Sequence, residues 1–284
     1  MLPKINNMKK LQISKPFLGL ALFCLIFTAC KKDPVIIVPP TLLKSWMVNL
    51  SARFENPAPV GRNETGMAML DLYSDSTLKY TITVTGLSSS DVVNAAHIHV
   101  GNAITNGGVI LNLNPTFTSG AATATVNLRK SLSDSLINAT ADFYVNVHST
   151  QVPSGIIRGQ LDNPVTFATD VTLSGANEVP AVITTATGLA LIRLTTNKTL
   201  FARITINALE ATDALAAAHI HTGAAGTNGG VIVGLASTLA DFSLPFLRVN
   251  SVSDANIALI QTGQVYVNVH STLRPGGVVR GQIR

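Results

Sequence analysis

Apolar and polar residues alternate with a period of two along most of the chain beyond residue 45. Met67-Ala68-Met69-Leu70-Asp71-Leu72 carries this pattern, as do Leu78–Val84, Ala96–Val100, Val109–Leu113, Ala122–Leu128, Phe143–His148 and Ile156–Leu161. Successive side chains of a strand point to opposite faces, so each segment predicts a half-buried β-strand. Asn106-Gly107 marks a turn before one of them. Two short helices are predicted, near Asp91–Ala95 and near Ser133–Ala139, with Ser133 as an N-cap. Short strands at this density, about seven in roughly 120 residues, predict an all-β antiparallel Greek-key sandwich or barrel.

The same pattern then recurs. His97-Ile98-His99 returns as His219-Ile220-His221, and Asn106-Gly107-Gly108-Val109-Ile110 as Asn228-Gly229-Gly230-Val231-Ile232. Tyr144-Val145-Asn146-Val147-His148-Ser149-Thr150 returns as Tyr266-Val267-Asn268-Val269-His270-Ser271-Thr272, and Arg158-Gly159-Gln160 as Arg280-Gly281-Gln282. A constant step of 122 positions separates these pairs, so a whole domain is duplicated rather than a short solenoid unit. The turn-prone cluster Asp162-Asn163-Pro164 places the boundary, with domain 1 at 45–162 and domain 2 at 163–284. The copies have diverged elsewhere: in this register Asp71 matches Arg193, Lys79 matches Phe201 and Tyr80 matches Ala202.

The N-terminus follows another logic. Lys4, Lys9, Lys10 and Lys15 precede a nearly continuous apolar run from Phe17 to Ala29. That run is shorter than the ~20 residues a membrane-spanning helix needs and fits the core of a signal peptide, residues 1–29. Leu25-Ile26-Phe27-Thr28-Ala29-Cys30 resembles a bacterial lipobox, with Phe27 in place of the usual leucine. The expectation is an exported protein whose Cys30 is lipidated, held on the outer membrane of the cell envelope. Residues 30–44, with Pro34, Pro39 and Pro40, would form a stiff tether. The formal charge of +5 contains the four leader lysines with no acidic residue to offset them, so the remainder carries +1. No basic patch points to nucleic acid. Cys24 and Cys30 are the two cysteines, which leaves the domains without a disulfide.

All six histidines lie in the repeated motifs. Strand alternation puts His97 and His99 on one face, opposite Ala96, Ile98 and Val100, and does the same for Tyr144, Asn146 and His148 against Val145 and Val147. Where the two strands are neighbours, His97, His99 and His148 converge, as do His219, His221 and His270. Three neutral imidazoles suit zinc or copper, with a fourth position open. The other use, commoner for such residues, is to hydrogen-bond turn carbonyls and lock the Gly-rich hairpin. Arg158 and Arg280 can hold an anion, or be buried against a carboxylate such as Glu55. Glu55 and Glu178 occupy related segments and Asp91 matches Asp213, but neither pair stands beside a nucleophile. Ser149 follows His148 directly and therefore points to the other face.

These residues resemble the CHRD domain, named for chordin. The matching marks are Leu173-Ser174-Gly175-Ala176-Asn177-Glu178-Val179-Pro180, the His-x-His-x-Gly…Asn-Gly-Gly run, and the Tyr-Val-Asn-Val-His-Ser-Thr and Arg-Gly-Gln segments. The first copy departs at its start, reading Leu50-Ser51-Ala52-Arg53-Phe54-Glu55-Asn56-Pro57. The chain is also similar, more faintly, to copper/zinc superoxide dismutase, in the order of His97, His99, His148 and Arg158. It has no counterpart of that family's bridging histidine, zinc aspartate cluster or disulfide, so this resemblance implies at most a copper-type three-histidine site. Two functions are therefore expected: a non-catalytic, lipid-anchored envelope module that is structural or binds a surface protein or glycan, and alternatively a metal-binding or redox protein.

Overall fold

Trp46, Val48 and Leu50 alternate with exposed Met47 and Asn49 on the first strand, and this alternation sets the inner face of domain 1. The computed structural model describes residues 38–284. The signal peptide, Cys30 and most of the proposed tether lie outside the described residues.

Domain 1 contains β1 (Leu42–Ser51), β2 (Thr65–Tyr73), β3 (Thr77–Thr85), β4 (Val93–Val100), β5 (Val109–Asn112), β6 (Ala121–Asn127), helix α1 (Lys130–Asn138), β7 (Phe143–Ser149) and β8 (Ile157–Gln160). Domain 2 repeats the series as β9 (Val165–Ser174), β10 (Thr187–Thr195), β11 (Leu200–Asn207), β12 (Leu215–Thr222), β13 (Val231–Ala236), β14 (Leu247–Val249), helix α2 (Asp254–Thr262), β15 (Val265–Ser271) and β16 (Val279–Gln282). Each domain is one eight-stranded antiparallel sheet, in the order β5-β4-β7-β8-β1-β2-β3-β6 and its exact counterpart β13-β12-β15-β16-β9-β10-β11-β14.

Each sheet curls so that its two halves face one another across a core. In domain 1, Ile98, Val145 and Val147 from one half meet Leu70, Leu72 and Ile82 from the other. The hydroxyl of Tyr80 on β3 closes the gap by donating to the Leu113 carbonyl just beyond β5, at 2.8 Å. In domain 2, Ile220 and Val267 meet Ile192 and Leu194 in the same manner. The all-β, two-domain architecture expected from the pattern is present.

Three local differences have physical causes. β1 is an eighth strand beyond the seven that the alternation predicts, and it takes in Leu42, Leu43 and Lys44, which the pattern places in the tether. No helix forms over Asp91–Ala95, because Asp91 is consumed in a turn and β4 begins at Val93. The Asp91 carboxylate accepts from the Ser149 and Thr150 hydroxyls and the Gln151 amide, and pairs with Arg62. Burial opposes its ionisation, but those hydrogen bonds outweigh burial and hold it well below the usual carboxylate range. The second helix starts earlier than expected, so Ser133 is buried inside α1 and Arg129 occupies the N-cap position.

A third apolar cluster joins the domains. Phe54, Ala103 and Ile104 of domain 1 pack on Ala168, Leu189, Leu191 and Phe201 of domain 2. Phe201 stands where domain 1 has Lys79, so the divergence at this position serves the contact. Replacing Ile98 or Ile220 by alanine is expected to cost about 2–5 kcal/mol, the range for deleting a fully buried aliphatic side chain. Urea unfolding of each variant measures this cost.

Candidate metal centre

β4 and β7 lie side by side in a register that sets His97 opposite Asn146, His99 opposite Tyr144 and Ala95 opposite His148. Alternation sends Ala96, Ile98, Val145 and Val147 into the core and leaves the histidines on the far face. A register shift against β5 falls between Ile98 and His99, the kind of irregularity that re-aims a side chain. The His97 ring lies 4.7 Å from His148 and 5.7 Å from His99, centroid to centroid. In domain 2, His219 lies 5.0 Å from His270 and 5.6 Å from His221. One ring nitrogen from each histidine of a set falls within 4.8 Å of the other two, in both domains.

Backbone carbonyls orient four of the six rings. His99 donates from Nδ1 to the Gly107 carbonyl at 2.9 Å, and His148 from Nδ1 to the Pro153 carbonyl at 2.9 Å. His221 and His270 repeat this with Gly229 at 3.0 Å and Pro275 at 2.9 Å. A ring that donates from Nδ1 keeps its lone pair on Nε2. His99 Nε2, His221 Nε2, His270 Nε2 and His219 Nδ1 are buried and have no hydrogen-bond partner. In domain 1, His97 Nδ1 faces His148 Nε2 at 3.0 Å. The donor set of each domain is thus one Nδ1 and two Nε2 atoms. A tetrahedral shell with bonds of about 2.05 Å spaces its donors about 3.3 Å apart, so modest ring rotations bring the three onto a common ion. Burial lowers the pKa of His97, His99, His148, His219 and His270, which favours the neutral ring that a metal needs.

A stack stands behind these donors. Tyr144 on β7 receives the His99 ring from β4, at 4.9 Å and 12° between planes, and the Arg158 guanidinium from β8, 3.4 Å from its centroid. His221, Tyr266 and Arg280 repeat it at 5.0 Å and 3.4 Å. Arg158 is 1% exposed. It donates to the Asn102 and Thr105 carbonyls, Asn106 Oδ1 and Gln160 Oε1, so its charge is spent on the loop preceding β5. Arg280 does the same with Ala224, Thr227 and Asn228. Among the described residues no ion pair joins Arg158 to Glu55. Tyr144, Asn106 and Gln160 complete the construction. Their only signal in the sequence is that Tyr266, Asn228 and Gln282 recur at the matching positions.

The loop after β1 approaches the triad of domain 1 from the His99 side. It carries Glu55 and Asn56 over a cavity of about 540 Å³ that His99, Tyr144, Asn146 and Gly155 also line. Gly155 has φ +132°, and a Cβ there would lie 2.6 Å from Asn146 Oδ1 and 2.8 Å from Glu55 Oε1, so only glycine fits. Domain 2 braces this loop. Arg193 donates to the Glu55 carbonyl and pairs with Asp170 at 2.7 Å, while Asp170 accepts from the Ala58 amide at 2.8 Å. The next carbonyl, that of Asn56, accepts from Asn106 beside the Gly107 that anchors His99. Among the described residues the corresponding loop of domain 2 has no brace from the other domain; Arg274 of the same domain donates to the Ile183 carbonyl at 3.4 Å, and the Ile183 side chain is almost fully exposed.

Tandem all-β domains, each with a histidine triad set on a tyrosine–arginine stack, define the class of protein. The family model for the CHRD domain matches residues 46–161 and 169–283, and the chain belongs to that family. No curated protein and no solved structure matched the chain.

Two predictions follow from the braced loop. Burial pushes the Glu55 carboxyl up to about 8, against the pull of Arg158 and Arg193. The folded state therefore retains a proton that the unfolded chain releases near its ordinary 4.5, and stability from this group is full below that pH and lost as pH rises towards 8. Glu55→Gln is expected to flatten the decline between pH 5 and 8 in denaturation experiments. Arg193→Met is expected to speed hydrogen exchange of the amides in 55–60, measured by mass spectrometry, and to leave 178–183 unchanged.

Proposed function

We propose that each CHRD domain of this protein binds one late transition metal ion, copper or zinc, through His97, His99 and His148 in domain 1 and His219, His221 and His270 in domain 2. The carrying observation is the convergence of three ring nitrogens in both copies, with His99 Nε2 in domain 1 and His219 Nδ1, His221 Nε2 and His270 Nε2 in domain 2 buried and partnerless, and with four of the six rings held by carbonyl hydrogen bonds on their far side. Histidines used only to lock a hairpin have their donors satisfied and no reason to converge. Here the Nδ1–H groups do lock the turns at Gly107 and Pro153, and this is the outer-shell arrangement that fixes ring tautomer and orientation in metal sites. The two uses anticipated for these residues thus act together.

Three protein donors leave a coordination position for water or a small ligand. A bound ion would act there as a Lewis acid or, if copper, exchange an electron. Arg158 differs in setting from a residue that would steer an anion to the ion, because its guanidinium lies under Tyr144 with carbonyl partners. The reading therefore emphasises metal holding over superoxide chemistry.

The setting proposed for this function is the bacterial cell envelope, with Cys30 lipidated after removal of residues 1–29. The basic leader, the apolar run and the lipobox-like Leu25–Cys30 support it. A surface protein or glycan partner remains the competing role for the exposed faces of the domains.

Metal analysis of the purified protein tests the proposal. About two ions per chain are expected, and His97→Ala/His99→Ala and His219→Ala/His221→Ala should each remove one. Absence of stoichiometric copper or zinc, with the variants merely less stable, would make the histidines structural. Cys30→Ala is expected to abolish palmitate labelling and move the protein from the membrane fraction to the soluble one.

A further inference from the structure

The sheet face by which domain 2 receives domain 1 has a counterpart in domain 1 that nothing covers among the described residues. In domain 2 this face carries Leu189 and Leu191 of β10, with Asp170 of β9 opposite Leu191. In domain 1 the matching β2 residues are Met67 and Met69, with Met47 of β1 opposite Met69. Met47 is 66% exposed and Met69 47% exposed, and Met67 lies two residues along the same face. The chain has five methionines, and apart from Met1 and Met8 of the leader all of them are in this cluster.

Leucine suffices for an apolar docking face, as domain 2 demonstrates at two of these positions. Methionine at all three positions offers something leucine lacks. The thioether is a soft, polarisable donor on a flexible arm. Soft sulfur donors favour Cu(I) over the harder divalent ions. Directly opposed residues on antiparallel strands have Cβ atoms about 4.5–5.5 Å apart, and diagonal neighbours about 7–8 Å, both within reach of three converging thioethers. Asp71, two residues beyond Met69 on the same face, adds negative charge at the rim.

We propose that Met47, Met67 and Met69 form a three-thioether site for a soft monovalent cation, Cu(I), on the outer face of β1 and β2. The site is present in domain 1 and absent from domain 2, where aspartate and two leucines replace the methionines. It uses none of the histidines and so stands or falls independently of the sites proposed above.

Silver(I), which has the same charge and softness without redox chemistry, is the probe. Protein labelled with carbon-13 at the methionine methyl groups is titrated with Ag(I) and followed by NMR. The three methyl signals are expected to shift together and to saturate at one equivalent. Met47→Leu, a volume-conserving change on an exposed surface, should weaken that transition about tenfold or more without altering thermal unfolding. The His97→Ala/His99→Ala variant should leave it intact. Methyl signals that stay fixed, that drift only at large excess, or that titrate normally in Met47→Leu would overturn the proposal and leave an apolar docking face.

Discussion

Each domain depends on a buried arginine lying flat on a buried tyrosine. A guanidinium cannot shed its charge, so taking it out of water is costly unless every donor is met. Arg158 answers much of this demand through Nη1 and Nη2, which donate to the Asn102 and Thr105 carbonyls and to the side-chain oxygens of Asn106 and Gln160, and through the Tyr144 ring beneath it. Satisfying the arginine fixes the loop before β5. The same loop supplies the Gly107 carbonyl that aims His99, while Tyr144 supplies the surface on which His99 lies. The placement of His99 within the triad is thus tied to solvating one buried cation. Arg280 imposes the same arrangement on domain 2.

Duplication preserved this core and released the outside. Arg193 shows how. At its position in domain 1 stands Asp71, hydrogen-bonded to Ser45 on an open sheet face. In domain 2 the arginine is fully buried at the junction and grips the loop that roofs the other domain's cavity. The loop beside one triad is therefore braced by the neighbouring domain, and among the described residues the loop beside the other is not. The two histidine triads are built from identical donors in unequal surroundings.

The strands and the convergence of the histidines were legible in the sequence because both rest on a period of two. Ile98 and Val147 must face inward, which leaves His97, His99 and His148 together once β4 and β7 pair. The fates of Arg158 and Glu55 were not legible. Their partners are carbonyls and loop residues whose positions depend on the path of Asn102–Gly108 and of the segment after β1, and carbonyls leave no mark in a sequence. Asp91 misled for a related reason: a residue that often starts a helix is equally suited to gather turn amides and hydroxyls. Leu42–Lys44 read as tether because the proline-rich stretch before them hides where pairing with β2 begins.

The tautomers of the six histidines offer the most direct check on the histidine triads. Long-range proton–nitrogen NMR of the metal-free protein should show His99, His148, His221 and His270 protonated on Nδ1, against the preference of free imidazole. Addition of Zn(II) should then perturb their Nε2 signals together with Nδ1 of His97 and His219. Rings protonated on Nε2, or nitrogen signals indifferent to the metal, would contradict the assignment of these histidines as ligands.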